Sequence, residues 1–117
     1  MQTASKQLIE FCRGDAPDIY GRYLKDMWEW RDNKLEITHD YIQWMFPSTE
    51  RSYANPTSPF VEENDVAEIS NDDRIKENLR MSLERILRFF GLELIVSDEI
   101  SVARAAFFAD RRTKWFW

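Results

Sequence analysis

A chain of 117 residues is enough for one ordinary domain and too short for two. Its 44% apolar and 15% aromatic residues supply a packed core, which excludes disorder. A net charge of −5 and a pI near 4.9 disfavour nucleic-acid binding, because phosphate contacts need a basic face.

Cys12 is the only cysteine, so no internal disulfide forms, which suits a reducing compartment. The segment from Met1 to Lys6 is polar and leads into no apolar signal core. The longest apolar run, Ala105 to Ala109, is far below the ~20 residues of a membrane span. A soluble, cytoplasmic chain is the expectation. Few glycines and prolines interrupt the sequence, which favours long helices over many short strands.

In chain order, Ser5 to Arg13 reads as a helix carrying Leu8, Ile9, Phe11 and Cys12 on one side and stopped by Gly14. Asp18 is placed to cap a second helix, Ile19 to Trp30, weakened by Gly21. Arg31 to Lys34 breaks the pattern. Leu35 to Met45 reads as a third helix, with Thr38 as an alternative cap. Ile37, Tyr41, Trp44 and Met45 form its apolar stripe, and Pro47 stops it. Ser48 to Pro59 is a long proline-containing loop that Tyr53 could pin to the body.

Six carboxylates crowd Glu62 to Asp73, with a short helix over Asn64 to Ser70 that turns Val66 and Ile69 inward. Asp72 or Asp73 caps the best-defined helix, Arg74 to Phe90. Its core stripe is Ile75, Leu79, Leu83, Ile86, Leu87 and Phe90, its wet face holds a Glu84–Arg88 pair, and Gly91 ends it. Leu94 to Val96 is a short apolar piece. Ser97-Asp98 caps a last helix over Glu99 to Arg112, and the chain ends on Trp115-Phe116-Trp117.

The run His39-Asp40-Tyr41-Ile42-Gln43-Trp44-Met45-Phe46-Pro47, followed by Asn55-Pro56, Pro59 and the helix closing on Phe89-Phe90-Gly91-Leu92-Glu93, resembles the conserved domain of the opioid growth factor receptor family. The nine-residue run is the specific part, and the resemblance covers Tyr23 to Glu93. It implies an all-helical domain. Through the receptor for an enkephalin-type peptide that names the family, it also implies peptide binding, without assigning that role to any residue. Family domains continue through further helices where this chain stops at Trp117. A shortened or cut member is therefore expected, with apolar surface exposed where the rest would pack.

Chemistry is sparse. His39 and Gln43 stand four apart on one expected helical face, and with Asp40 they could bind a ligand or act as acid and base. The simpler alternative is that they bond to and orient the Ser48 to Pro59 loop. One histidine and one distant cysteine make no metal set, and three glycines build no phosphate loop. Cys12 is expected to be an inert core thiol. Trp28 and Trp44 share their stripes with core residues, whereas Trp30 and Phe46 lie off theirs and are candidates for an aromatic groove.

The expectation is thus an all-α single domain over residues 1–117: a compact bundle of five to six helices with one long loop. The Asp73 to Phe90 helix is its central post, with the His39 to Phe46 helix packed on it. Function is expected to be non-enzymatic binding of a peptide or protein, without cofactor or metal, through His39, Asp40, Gln43, Trp44, Phe46 and Trp30. Two alternatives stand beside it: an enzyme built on His39, Asp40 and Gln43, and an oligomerisation domain using Trp115, Phe116 and Trp117. Neither nucleic acid nor a transmembrane segment is expected, and lipid contact by the terminal basic-aromatic run ranks last.

Overall fold

The side chain of Thr3 accepts a hydrogen bond from the backbone N–H of Lys6, satisfying one of the orphan donors that begin every helix. From there α1 runs over Ala4–Arg13 in the computed structural model, which describes residues 3–50, 57–96 and 100–104. Gly14 ends the helix at φ +85°, and its N–H returns to the Glu10 and Phe11 carbonyls. The fold is all-α in class. Among the described residues it has six α-helices and one short antiparallel hairpin. Contacts divide the chain into two units, Met1–Leu79 and Arg80–Trp117, with the boundary inside α6.

In the first unit, the expected Ile19 to Trp30 helix begins five residues late. α2 spans Leu24–Glu29, and the Asp26 carboxylate accepts from the Tyr23 N–H at its start. Asp18 does not cap it. One carboxylate oxygen of Asp18 instead accepts the N–H groups of Tyr20 and Arg22, while its own N–H donates to the Arg22 carbonyl. This small closed loop needs Gly21 at φ +80°, a conformation no helix continues through.

Of the residues read as a break, Asp32 to Lys34 are helical and Arg31 is extended just before them: α3 spans Asp32–Ile37. The helix expected over Leu35 to Met45 is itself broken, because the chain turns extended at Thr38 and resumes as α4, Ile42–Met45. Thr38 therefore ends α3 rather than capping α4. Two longer-range bonds hold the break. The Tyr41 hydroxyl donates to the Leu35 carbonyl at 2.9 Å, and Arg22 reaches Asp40. As expected from Pro47, no helix passes Met45. Tyr53 and the middle of the following loop lie outside the described residues.

Leu8, Ile9, Phe11, Cys12, Leu24, Met27, Leu35, Tyr41, Trp44, Met45, Val61 and Ile75 form this unit's core. α4 packs on α1. Trp44 meets Phe11 edge-on at 5.2 Å, and the Cys12 thiol lies 3.5 Å from the Trp44 carbonyl.

A 3-10 turn over Glu63–Asp65 leads into α5, Val66–Ser70. Neither Val66 nor Ile69 is buried. What holds α5 is charge, which the acidic run supplies and α1 answers. Lys6 pairs with Asp65 and Glu68 at 3.0 and 2.8 Å, Arg13 pairs with Glu68 and Asp72, and the Ser5 hydroxyl donates to Asp65.

These pairs set the acid response. Asp65 lies below the ordinary Asp value of 3.8, chiefly through Lys6 and then Ser5. Asp72 is lowered by Arg13 and then by the Ile75 N–H. Glu68 lies below 4.5 through Lys6 and Arg13. Unfolding restores the ordinary values, so the unfolded chain binds protons first. The carboxylates' contribution is complete above those values and is lost as pH falls through the lowered ones. Lys6 is raised from 10.5 by Glu68 and Asp65, so its share is present below 10.5 and lost only in strong base. The urea midpoint is therefore expected to be flat from neutrality to about pH 5 and to fall below about pH 4. Glu68→Gln should lower the plateau and flatten the fall; an unchanged slope in that variant would exclude the clamp as its source.

α6 spans Asp73–Phe89, and the Asp72 carboxylate accepts from the Ile75 N–H at its start. The expected stripe holds at Ile75 and fails at Leu83, which is 38% exposed. Glu84 accepts from Arg80, not from Arg88. In the second unit Phe89 and Phe90 rings lie 5.2 Å apart, and Gly91 turns the chain at φ +78°.

The described part of the expected last helix, Ile100 to Arg104, is a strand, and its remainder, residues 105–112, lies outside the described residues. Leu92–Val96 forms β1 and Ile100–Arg104 forms β2, paired antiparallel with Val96 opposite Ile100 and Leu92 opposite Arg104. Leu-Ile-Val and Ile-Ser-Val are short and rich in β-branched residues, and pairing decides such segments over helical spacing. The terminal Trp115, Phe116 and Trp117 lie outside the described residues.

Candidate functional site

Arg22 organises the surface around the broken helix. Its Nε donates to Asp18 at 2.6 Å and its Nη1 to Asp40 at 2.8 Å, while Nη2 lies 3.4 Å from the Asp40 carbonyl. The Asp18 carboxylate is wholly buried, Arg22 is 18% exposed and Asp40 is 43% exposed. Burial pulls the guanidinium down, yet its bonds to Asp40 and Asp18 outweigh this and leave it raised. The same guanidinium lies over the Tyr20 ring at 4.9 Å and the Trp30 ring at 5.6 Å. Trp30 meets Tyr41 edge-on at 5.7 Å, and the Lys34 ammonium sits over its indole at 4.8 Å.

Trp30 is thereby fixed at the corner between α2 and α3. Beside it opens a groove of about 490 Å³ lined by Trp30, Arg31, Asn33, Lys34, Ile37 and Thr38. Ile37, expected on the buried stripe, is 74% exposed at the groove. The helix break explains this. A continuous helix would carry Ile37 and Tyr41 on one face; with the chain extended at Thr38, Tyr41 turns into the core and Ile37 stays outside. Two cations and an exposed aliphatic side chain therefore share one concave surface.

The candidates read from sequence separate in space. Trp30 lines the groove, and Asp40 supports it through Arg22. His39 is exposed in the break, so the helical face it was expected to share with Gln43 does not exist. Gln43 instead accepts from the Ser58 hydroxyl at 3.3 Å, a bond to the end of the long loop. Trp44 is core, and Phe46 is half-buried at the end of α4. Trp28 is half-buried beside a smaller cleft with Tyr23, Lys25 and Asn78. Cys12 is buried, and burial pushes its thiol up to about 12. Arg22, Arg31 and Lys34 were not singled out by sequence reading, and Ile37 was read as core. The only available signal was Gly21, which undercuts a helix through Arg22.

Among the described residues no group of three or more His, Cys, Asp or Glu side chains could hold a metal ion, and no helix is long and apolar enough to cross a membrane.

Comparison with known proteins returns one family. The opioid growth factor receptor (OGFr) conserved region matches over residues 12–115. The opioid growth factor receptor of Homo sapiens is 28% identical over 120 residues, which takes in 91% of this chain and 18% of that protein. Opioid growth factor receptor-like protein 1 of Mus musculus is 32% identical over 99 residues, 81% of this chain and 20% of that protein. The chain thus spans about a fifth of the length of these relatives. No solved structure matches.

Proposed function

The chain belongs to the opioid growth factor receptor family through its conserved region, and from that membership we propose that it is a non-enzymatic binding module for a peptide or protein segment. The groove that Trp30 and α3 line is its contact surface. The observation that carries this is Ile37. An aliphatic side chain 74% exposed, beside an indole fixed by two cations, costs solvation in the free chain and is repaid when a partner covers it. Relatives named as receptors support the same reading.

The enzymatic alternative draws less support. Two of its three residues have other tasks, since Asp40 holds Arg22 and Gln43 holds Ser58, and His39 lies outside the helix that carries Gln43.

A photo-crosslinking amino acid tests the surface. Placed at Ile37 in the intact chain, it is expected to give discrete adducts in a lysate of the source cells. Placed at exposed Lys76 on α6, it should give only background. Identical adduct patterns from both positions would reject the groove as the contact surface.

A further inference from the structure

The groove's charge differs from that of the chain that carries it. The chain is net −5, yet the groove lining holds Arg31 and Lys34 and no carboxylate. Asp32 and Glu36 lie on the same helix at half-buried positions off the lining. Among the described residues the ion pairs engage Lys6, Arg13, Arg22, Arg74 and Arg80, and none engages Arg31 or Lys34. Lys34 rests on the Trp30 face, an attraction worth only about 0.5–1 kcal/mol at an exposed site. It is therefore readily drawn to a carboxylate. Exposed Ile37 and the edge of Trp30 supply the apolar half of the surface.

Resting on the binding-module reading above, we infer that the groove takes an acidic-apolar segment of a partner protein: an aliphatic or aromatic side chain seated against Ile37 and Trp30, with side-chain carboxylates on Arg31 and Lys34. Opposite charges steer such a segment in, and the apolar seat retains it. A nucleic acid would satisfy the two cations. It would leave Ile37 without an apolar partner, and it would meet the repulsion of the chain's net negative charge.

The test is a selection of random dodecapeptides, displayed between constant flanks so that no free terminus enters the contact, against the immobilised intact chain. Winners are then measured by anisotropy against wild type, Ile37→Asp and Lys34→Glu. Both altered side chains are exposed, and circular dichroism checks that the variants fold.

Winners are expected to pair Asp or Glu with a nearby aromatic or large aliphatic residue. Their affinity should fall about ten-fold or more in each variant and weaken with added salt. Repeating the selection on Arg31→Glu/Lys34→Glu should yield basic-apolar winners. Neutral or basic winners from wild type that still require Ile37 would overturn the acidic class and leave the binding module standing. Acidic winners indifferent to Ile37→Asp would overturn the groove. No enrichment at all would remove the binding-module reading and this inference together. Displacement of the winners by a single-stranded oligonucleotide at equal concentration would replace a protein partner with a nucleic acid.

Discussion

Replacing Trp44 by Ala is expected to lower the unfolding free energy by about 3–5 kcal/mol, the range for deleting a buried aromatic side chain. Trp44 is 3% exposed, and its ring packs edge-on against Phe11, which is fully buried on α1. α4 has a single turn, Ile42–Met45, and no side-chain cap at its start. So short a helix has no independent stability, and packing on α1 is what keeps it formed. Typical domains are stable by only about 5–15 kcal/mol, so the loss takes a large share of the total. Urea unfolding followed by far-UV circular dichroism measures it, with Trp44→Phe expected to lose much less. A loss below about 1 kcal/mol for Trp44→Ala would mean that α4 is not held by this contact.

The same residue shows what the sequence carries and what it conceals. The stops were legible because each is local. Gly14 and Gly91 adopt positive φ where the helices end, Pro47 follows the end of α4, and Asp72 holds the first turn of α6. The nine residues from His39 to Pro47 identified the family, and the comparisons agree. Core positions on strong stripes were also legible, as Leu8, Phe11, Trp44 and Ile75 show.

The failures are those of local reasoning where longer-range bonds decide. Nothing between Leu35 and Met45 is a glycine or proline, so periodicity runs through. The break at Thr38 comes from the Tyr41 hydroxyl reaching back to Leu35 and from Arg22 reaching Asp40 eighteen residues on. Asp18 before an apolar run reads as a cap, and only the closed loop with Arg22 shows its other use. Ile100 to Arg104 carries apolar residues at spacings that fit a helix as well as a strand, and pairing with Leu92 to Val96 chooses the strand. The groove inherits these errors. Trp30 was found because it sat off its stripe. Ile37 was assigned to the core because the break that leaves it outside was invisible.

Arg22→Met is the complementary expected result, and it joins the fold to the groove. Asp18 is wholly buried, and the substitution leaves its carboxylate with two backbone N–H donors and no cation. Breaking a buried pair from one side typically costs about 3–5 kcal/mol, because the remaining charge stays desolvated. Asp40 is 43% exposed, so Asp40→Asn should cost only about 0–1 kcal/mol. Arg22→Lys should not rescue, since one ammonium cannot bridge both carboxylates and also lie over Tyr20 and Trp30. Urea unfolding of the three variants, with Asp18→Asn added to close a double-mutant cycle, separates the pairs. The coupling should concentrate in Asp18–Arg22. Equal losses for Arg22→Met and Asp40→Asn would show that the buried carboxylate does not depend on the guanidinium. The expected order has a consequence at the surface. Arg22 lies over Trp30, so its loss removes one of the contacts, beside those of Tyr41 and Lys34, that fix the indole bordering the groove. Peptide affinity should therefore fall in Arg22→Met even where the variant remains folded, and stay near wild type in Asp40→Asn. The buried loop closed by Asp18 is then what holds the exposed groove in shape.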